Sequence, residues 1–314
     1  MNGEQPKIEI FEPFGAAFEI MKRILFRPFD FAKWLVIGFA AFLSGAWGNG
    51  FSFRSPGGNW NFKSVSHSNT TISESLPSWF FPFIIIIVAL AVLIVLVLMW
   101  ISARGRFIFT DCVVKNRAAI VVPWVEYRRE GNSFFLFSLV VMLLALLFIG
   151  VFVVAIVLPM GLLGSGKGTA GLGVAAVCAL AFVGFVWLAF AIFFGVASQF
   201  MVPVMYRRRC LAREAFFDVS KLMLARPGPI VLVVLFGIVL LLALAVVTTI
   251  GTCLTCCFAG LPYVSSVVFL PAFVWLLAFK LLFLRQFGPE YDVWAVTPDS
   301  PPPEPPSVAL PPTG

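Results

Sequence analysis

Six long apolar stretches alternate with shorter polar segments along the chain. They cover residues 29–47, 79–101, 134–158, 172–200, 230–251 and 263–284. An α-helix needs roughly 20 apolar residues to cross about 30 Å of hydrocarbon, and most of the stretches reach that length. The pattern predicts an all-α polytopic membrane helix bundle with six transmembrane helices. The first span is the weakest, because its uninterrupted apolar part, 34–47, also has a length that suits a re-entrant segment.

Lysine and arginine are concentrated between alternate pairs of these stretches. Only Arg54, Lys63 and Lys167, out of 22 basic residues, fall in the other segments. Basic residues near span ends are retained in the cytoplasm, so we expect a multi-pass protein of the bacterial inner (plasma) membrane with both termini in the cytoplasm. Segment 48–78 is then an outer loop, and segments 102–132 and 206–229 are cytoplasmic.

The composition excludes a soluble globular protein, since 61% of the residues are hydrophobic and 12% are charged. The net charge of +7 does not indicate a nucleic-acid partner. Because the basic residues line the predicted cytoplasmic surface of a membrane, anionic lipid headgroups are the nearer partner. A membrane or cytoplasmic protein is a second class of partner that the sequence allows.

A sequence repeat precedes the first and the fifth apolar stretch. Residues 18–28 align with residues 217–227, with identical amino acids at five of eleven positions and with Pro28 matching Pro227. Each copy predicts an amphipathic helix on the membrane surface, the first over 13–27, ending before its proline. A looser third copy precedes the third stretch, with Pro123 in a first helical turn and Gly131 as a C-terminal cap. We therefore predict three hairpin repeats, each with a surface helix and two spans.

The basic residues of the first and last copies are the candidate ligands for lipid headgroups. They are Lys22, Arg23, Arg27, Lys221 and Arg226. Each is close in sequence to the apolar face of its helix, the arrangement in which cations bind anionic lipid at a membrane surface. The alternative is that these residues only set the orientation of the spans.

No candidate for catalysis, cofactor binding or metal binding stands out. The segment 161–168 is similar to a phosphate-binding loop but has Gly168 where serine or threonine would hold magnesium. His67 is the only histidine. The cysteines at the outer end of the fifth stretch suit a redox pair or a metal clip, but packing of a helix end is the favoured role; they are Cys253, Cys256 and Cys257. We therefore predict a protein that is not an enzyme and has no cofactor.

Charged residues are absent from the middle of the predicted spans. Asp30, Lys33 and Lys280 all lie near cytoplasmic ends. Charges at membrane depth mark most ion pathways and proton relays, so transport coupled to an ion gradient is disfavoured. The integral membrane domain is expected to cover residues 1–288, and the proline-rich tail 289–314 is expected to be disordered or extended.

Three segments carry a resemblance to known proteins, namely residues 102–107, 123–133 and 286–291. They resemble stretches of uncharacterised bacterial multi-pass membrane proteins. More distantly, the repeated plan is similar to the membrane domains attached to some glycerophosphodiester phosphodiesterases. The phosphodiesterase domain with its acidic metal ligands is not part of this sequence, so the resemblance implies a membrane fold and no activity.

These observations favour a non-enzymatic membrane scaffold that organises lipid or a partner protein. One alternative is a carrier for a neutral or lipidic substrate, and another is an accessory subunit of a membrane enzyme. A lined cavity between the repeats would favour the carrier, whereas a filled bundle would favour the scaffold.

Overall fold

A computed structural model describes residues 11–45, 80–163, 170–254 and 262–296, and these residues form ten α-helices. The helices are α1 (Phe11–Leu25), α2 (Phe31–Leu43), α3 (Phe80–Val114), α4 (Val121–Glu126), α5 (Arg128–Leu163), α6 (Ala170–Arg208), α7 (Ala212–Ala225), α8 (Pro227–Leu254), α9 (Pro262–Val268) and α10 (Leu270–Arg285). Two 3-10 turns follow, at Pro289–Tyr291 and Trp294–Val296. The prediction of an all-α fold is confirmed.

Four of the helices are long and apolar enough to cross a membrane. The candidate spans within α3, α5, α6 and α8 are Phe81–Val114, Arg128–Val154, Ala181–Arg208 and Pro227–Gly251. At a rise of 1.5 Å per residue, roughly 20 residues cross the hydrocarbon core of about 30 Å. Each of these four spans is longer than that. They correspond to the second to fifth predicted spans and indicate a multi-pass membrane protein.

The first and the sixth apolar stretches form shorter helices than predicted. Helix α2 has 13 residues, which rise only about 20 Å. The sixth stretch is divided at Phe269 into α9 and α10. Pro271 explains the division, because proline has no N–H to donate to the carbonyl of Val267 four residues earlier. The indole Nε1 of Trp34 in α2 donates to that carbonyl instead, at 2.9 Å.

Helix α2 packs antiparallel to the last part of α3. At one end, Lys33 Nζ donates to Asn116 Oδ1 at 2.7 Å. At the other end, Ser102 Oγ donates to the carbonyl of Ser44 at 3.1 Å. Gly105 lies between these contacts, and a Cβ atom there would be 2.4 Å from the carbonyl carbon of Leu43. The first hairpin therefore pairs α2 with the basic part of α3, and the apolar part of α3 lies beyond it.

The two surface helices of the repeat are present, with small changes in their bounds. Helix α1 ends at Leu25, and α7 ends at Ala225, directly before Arg226 and Pro227 as predicted. Each buries an apolar face, which in α1 includes Ala17 and Met21. The third copy differs from the prediction. Gly131 lies inside α5 and caps no helix, and a Cβ atom there would be 2.8 Å from Arg104 Cγ.

The packed region continues beyond the predicted end of the membrane domain at residue 288. Residues 289–296 were predicted to belong to a disordered tail, but they form the two 3-10 turns. Val293 is buried, Asp292 pairs with Arg285 at 3.1 Å, and Glu290 pairs with Arg208. These contacts attach the turns to α6 and α10. The high proline content of the tail gave no indication of them. The remaining tail, 297–314, lies outside the described residues.

Candidate ligand-binding site

A buried carboxylate organises the charged ends of α3, α4 and α6. One carboxylate oxygen of Asp111 accepts from the Tyr206 hydroxyl at 3.0 Å and contacts Lys115 Nζ at 2.8 Å. The other accepts from Arg117 Nε at 2.9 Å. Both cations also approach Glu126, at 3.6 and 3.7 Å. Because the carboxylate is fully buried and all its partners belong to the protein, we assign it a structural role.

The negative charge of Asp111 stabilises the charged forms of its two cationic partners, Lys115 and Arg117. Burial lowers the pKa of Lys115, but the hydrogen bond and the negative charge of Asp111 outweigh burial, so that the pKa is raised above its usual value. The pKa of Arg117 is raised for the same reasons. Arg209 pairs with Glu126, and its guanidinium lies 3.9 Å from the centre of the Tyr127 ring. The network therefore joins three helices at one end of the bundle.

A cavity of about 450 Å³ lies between α3, α6, α8 and α10. Its volume is within the range of roughly 300–1,000 Å³ typical of ligand pockets. Two cations line it, Arg106 from α3 and Lys280 from α10, together with Gln199 from α6. No aspartate or glutamate is among its described lining residues. The cavity therefore has a cationic end without a built-in counterion.

The hydrogen-bond donors at the cationic end are the side chains of Arg106, Lys280 and Gln199. Lys280 Nζ donates to Gln199 Oε1 at 2.8 Å, which leaves the amide N–H groups of Gln199 free to donate. The Arg106 guanidinium lies 5.2 Å from the Phe134 ring centre and forms no ion pair within the described chain. The lining hydroxyls donate to carbonyls of their own helices; they belong to Ser44, Thr110 and Ser198.

The other end of the cavity is apolar and reaches the outside of the bundle. Its wall on α8 extends from Val233 to Leu244, which is about 16 Å along a helix axis. Ile192 on α6 and Ile238 on α8 also line it, and both are about half exposed, at 53% and 49%. The cavity thus opens sideways onto the apolar surface formed by the long helices.

Arg106 also borders a second, smaller cavity of about 270 Å³ between α5 and α6. Trp187 lines this cavity, and its buried indole N–H has no acceptor within the described residues. The two cavities share Ser198 and Gly195 as well. The guanidinium of Arg106 therefore borders both cavities, and the second cavity adds the indole N–H of Trp187 as a free donor.

A family model, DUF7544, described as a family of unknown function, matches residues 8–288. The chain belongs to this family. No curated protein and no solved structure gives a significant match to it. Membership in DUF7544 agrees with the resemblance to uncharacterised multi-pass membrane proteins, and it assigns no activity to the cavity.

The predicted headgroup ligands lie in two groups. Lys22, Arg23 and Arg27 belong to α1 and the turn after it, and Lys221 and Arg226 belong to α7 and its C-terminal end. Lys22 pairs with Glu19 at 2.6 Å, whereas Arg23 and Arg27 are exposed and form no ion pair within the described residues. Lys221 is exposed on α7 and Arg226 follows it at the helix end, again without an ion pair among the described parts of the chain. Because α1 packs on α10 and α7 packs on α6, the two groups belong to different surfaces.

Sequence reasoning did not identify the cavity residues of the DUF7544 chain. Arg106 was assigned to a cytoplasmic segment, and Lys280 was assigned to the cytoplasmic end of the sixth span. Helix α3 continues without interruption past residue 101 to Val114, so that Arg106 stays on a packed helix. The absence of proline between residues 84 and 122 was the signal available in the sequence.

Several other sequence candidates cannot be placed. His67, Lys167, Cys256 and Cys257 lie outside the described residues, and of Cys253 only the backbone is described, as part of α8. Within the parts of the chain that are described, no group of three or more His, Cys, Asp or Glu side chains could hold a metal ion.

Proposed function

We propose that this protein is a non-enzymatic membrane protein that organises anionic lipid on the cytoplasmic face through α1 and α7. One observation carries the proposal. Each helix buries one face against the bundle, and its other face and the residue or turn after it expose apolar side chains beside basic ones that have no ion pair within the described residues. Arg23 near the end of α1 and Arg27 in the turn after it are close in sequence to Phe26, which is 48% exposed. On α7, Lys221 neighbours Leu224, which is 75% exposed.

This arrangement suits the boundary between water and lipid. Exposed apolar side chains gain free energy by entering the headgroup region, and basic residues beside them are attracted to anionic headgroups. Each basic residue near a charged leaflet contributes about 1 kcal/mol, and salt weakens the attraction. The proposal includes the orientation inferred from charge, with both termini in the cytoplasm, and the two short elements α2 and α9–α10 as the remaining spans.

The test is a variant in which the five basic residues are changed to glutamine, namely Lys22, Arg23, Arg27, Lys221 and Arg226. We expect it to co-purify with less anionic lipid than the original protein, and we expect the remaining binding to depend less on salt. A matched control changes Arg54, Lys63 and Lys167 to glutamine on the predicted outer side and should retain its lipid.

Orientation must be checked in the same variant, because the same residues would direct insertion. Cysteine labelling at position 167 from outside intact cells should be unchanged. If orientation is kept and the five-residue variant retains its anionic lipid at all salt concentrations, the basic residues serve insertion alone and the proposal is wrong.

The cavity favours a second candidate, a carrier for a lipidic substrate. A filled bundle would have argued against it, whereas the cavity lies between helices of all three predicted repeats and opens sideways at Ile192 and Ile238. Faster movement of a fluorescent lipid between the leaflets of vesicles containing the protein, compared with protein-free vesicles, would support this candidate. The distant architectural similarity to phosphodiesterase-linked membrane domains adds no activity to either proposal.

A further inference from the structure

We propose that the cavity between α3, α6, α8 and α10 binds one anionic amphiphile of the membrane, a lipid with a phosphate headgroup. The headgroup would contact Arg106, Lys280 and Gln199, and the acyl chain would lie along the apolar walls of α6 and α8. This site is distinct from the basic surfaces of α1 and α7, and it does not depend on the role proposed for them.

The first argument is the uncompensated charge. Arg106 and Lys280 line the same cavity, and neither cation has an ion pair within the described chain. Two like charges in a region largely surrounded by apolar side chains repel each other and lose hydration. A bound anion offsets both effects. By contrast, Lys115 and Arg117 in the nearby network share the carboxylate of Asp111.

The second argument is the direction of the hydrogen bonds. Gln199 accepts from Lys280 through its oxygen, so its amide N–H groups remain as donors. The lining hydroxyls of Thr110 and Ser198 already donate to carbonyls of their own helices. These two hydroxyls offer a ligand only their oxygen lone pairs. The donors that remain are the Arg106 guanidinium, the Lys280 ammonium and the Gln199 amide, and a ligand with several acceptor oxygens satisfies them. Guanidinium groups bind phosphate oxygens through paired hydrogen bonds.

The third argument separates a lipid from a free anion. Beyond the cations the walls are apolar over about 16 Å of α8, from Val233 to Leu244. A small soluble anion would leave this surface uncovered, whereas an acyl chain would cover it. The opening beside Ile192 and Ile238 leads to the apolar outer surface, from which a lipid can enter sideways without leaving the membrane.

The experiment uses the whole protein in phosphatidylcholine vesicles that contain a small fraction of phosphatidylglycerol with a photoreactive acyl chain. After illumination, mass spectrometry locates the lipid on peptides. We expect labelling of the α6 and α8 segments that include Ile192 and Ile238. A phosphatidylcholine probe with the same photoreactive chain should label these segments about tenfold less, since it lacks the net charge that the two cations select.

Two variants test the residues. Arg106→Gln with Lys280→Gln should reduce labelling of the cavity segments by about tenfold or more, the loss expected when charged hydrogen bonds are removed. The charge-keeping pair Arg106→Lys with Lys280→Arg should retain most of it. This second pair shows whether a loss in the first reflects charge or a failure to fold. Changing the five basic residues of α1 and α7 should leave the cavity labelling unchanged.

The outcomes are distinct. Equal labelling by the two probes, or full labelling of the glutamine pair, would overturn the lipid site. Loss in both pairs from folded protein would also overturn it, because charge would then not determine binding. If inorganic phosphate added to the vesicles abolishes the labelling by phosphatidylglycerol, the site belongs to a free anion and the lipid assignment is wrong. If the five-residue variant of α1 and α7 loses its bound lipid while the glutamine pair at Arg106 and Lys280 keeps all of it, the surface proposal is supported and the cavity proposal is wrong.

Discussion

The two ends of helix α3 differ in what surrounds them. Residues 81–98 are almost all apolar, and nearly all their side chains are exposed. Residues 103–114 include Arg104, Arg106 and Asp111, yet most of them are buried. The more polar end is therefore the tightly packed one. The same contrast occurs in α6, where Phe182 and Phe185 are exposed and residues 200–206 are buried.

The contrast follows from the solvent that each end meets. In lipid, apolar side chains gain little by leaving the acyl chains for another helix, since both surroundings are apolar. At the charged end, which we expect to face water, burial of apolar surface is favourable, and networks such as that of Asp111 fix the arrangement. We therefore expect the stability of this protein to depend mainly on its charged end.

The largest effect expected from this comparison is at Phe107. Its ring is fully buried and lies 6.0 Å from the ring of Tyr127 and 6.3 Å from that of Phe134, measured between ring centres. Phe107→Ala should lower the free energy of unfolding by about 3–5 kcal/mol, because it leaves a cavity in a packed core. Reversible unfolding in detergent micelles, followed by circular dichroism or tryptophan fluorescence, measures this change.

The matched substitution is Phe185→Ala at the apolar end of α6. Phe185 is 70% exposed, so removing its ring should change the free energy of unfolding by no more than about 0.5 kcal/mol. Similar losses for both variants would contradict the comparison, since they would show that the apolar ends are packed as closely as the charged ends.

The sequence predicted the parts of the fold that depend on single segments. Four of the six apolar stretches are helices long enough to span, because hydropathy and length decide this helix by helix. The end of α7 before Pro227 was also predicted, because the steric effect of proline is local. The predicted orientation stays a prediction.

Features that depend on the contact of distant segments were not predicted. The position of α2 rests on a hydrogen bond from Trp34 to Val267 and on the close approach of Gly105 to Leu43, neither of which hydropathy can indicate. The cavity likewise joins Arg106 and Lys280, which are far apart in sequence. Asp111 was hidden for the same reason, because its partner Tyr206 is 95 residues away.

A smaller effect is expected at the contact between α2 and α3. A Cβ atom on Gly105 would lie 2.4–2.6 Å from backbone atoms of Leu43 and Ser44. Gly105→Ala therefore forces the two helices apart and should cost about 1–3 kcal/mol of unfolding free energy. The separation would also loosen the end of α2, where the Ser44 N–H donates to the carbonyl of Ala40, so faster exchange of the Ser44 amide hydrogen provides a second measurement.

The control is Gly150→Ala in the apolar part of α5. No atom lies within 4 Å of a Cβ atom added there. Alanine favours the helix over glycine by roughly 0.5–1 kcal/mol, so this variant should be as stable as the original protein or slightly more stable. A loss at position 150 equal to the loss at position 105 would show that the two ends of the bundle tolerate added volume equally.

The smallest effect concerns the pH dependence of the charged end. The pKa of Lys115 is raised above its ordinary value of 10.5 by Asp111, despite burial. A raised pKa means that the ion pair contributes its full stability below the unfolded value and loses it as the pH rises through the folded value. Lys115→Arg keeps its charge as the pH rises above 10.5, so there it should lose less stability than the original protein, by less than about 1 kcal/mol. Lys221→Arg, at an exposed lysine without an ion pair in the described chain, should show no such difference. If the original protein and Lys115→Arg lose stability in parallel, the lysine does not contribute to the network through its charge.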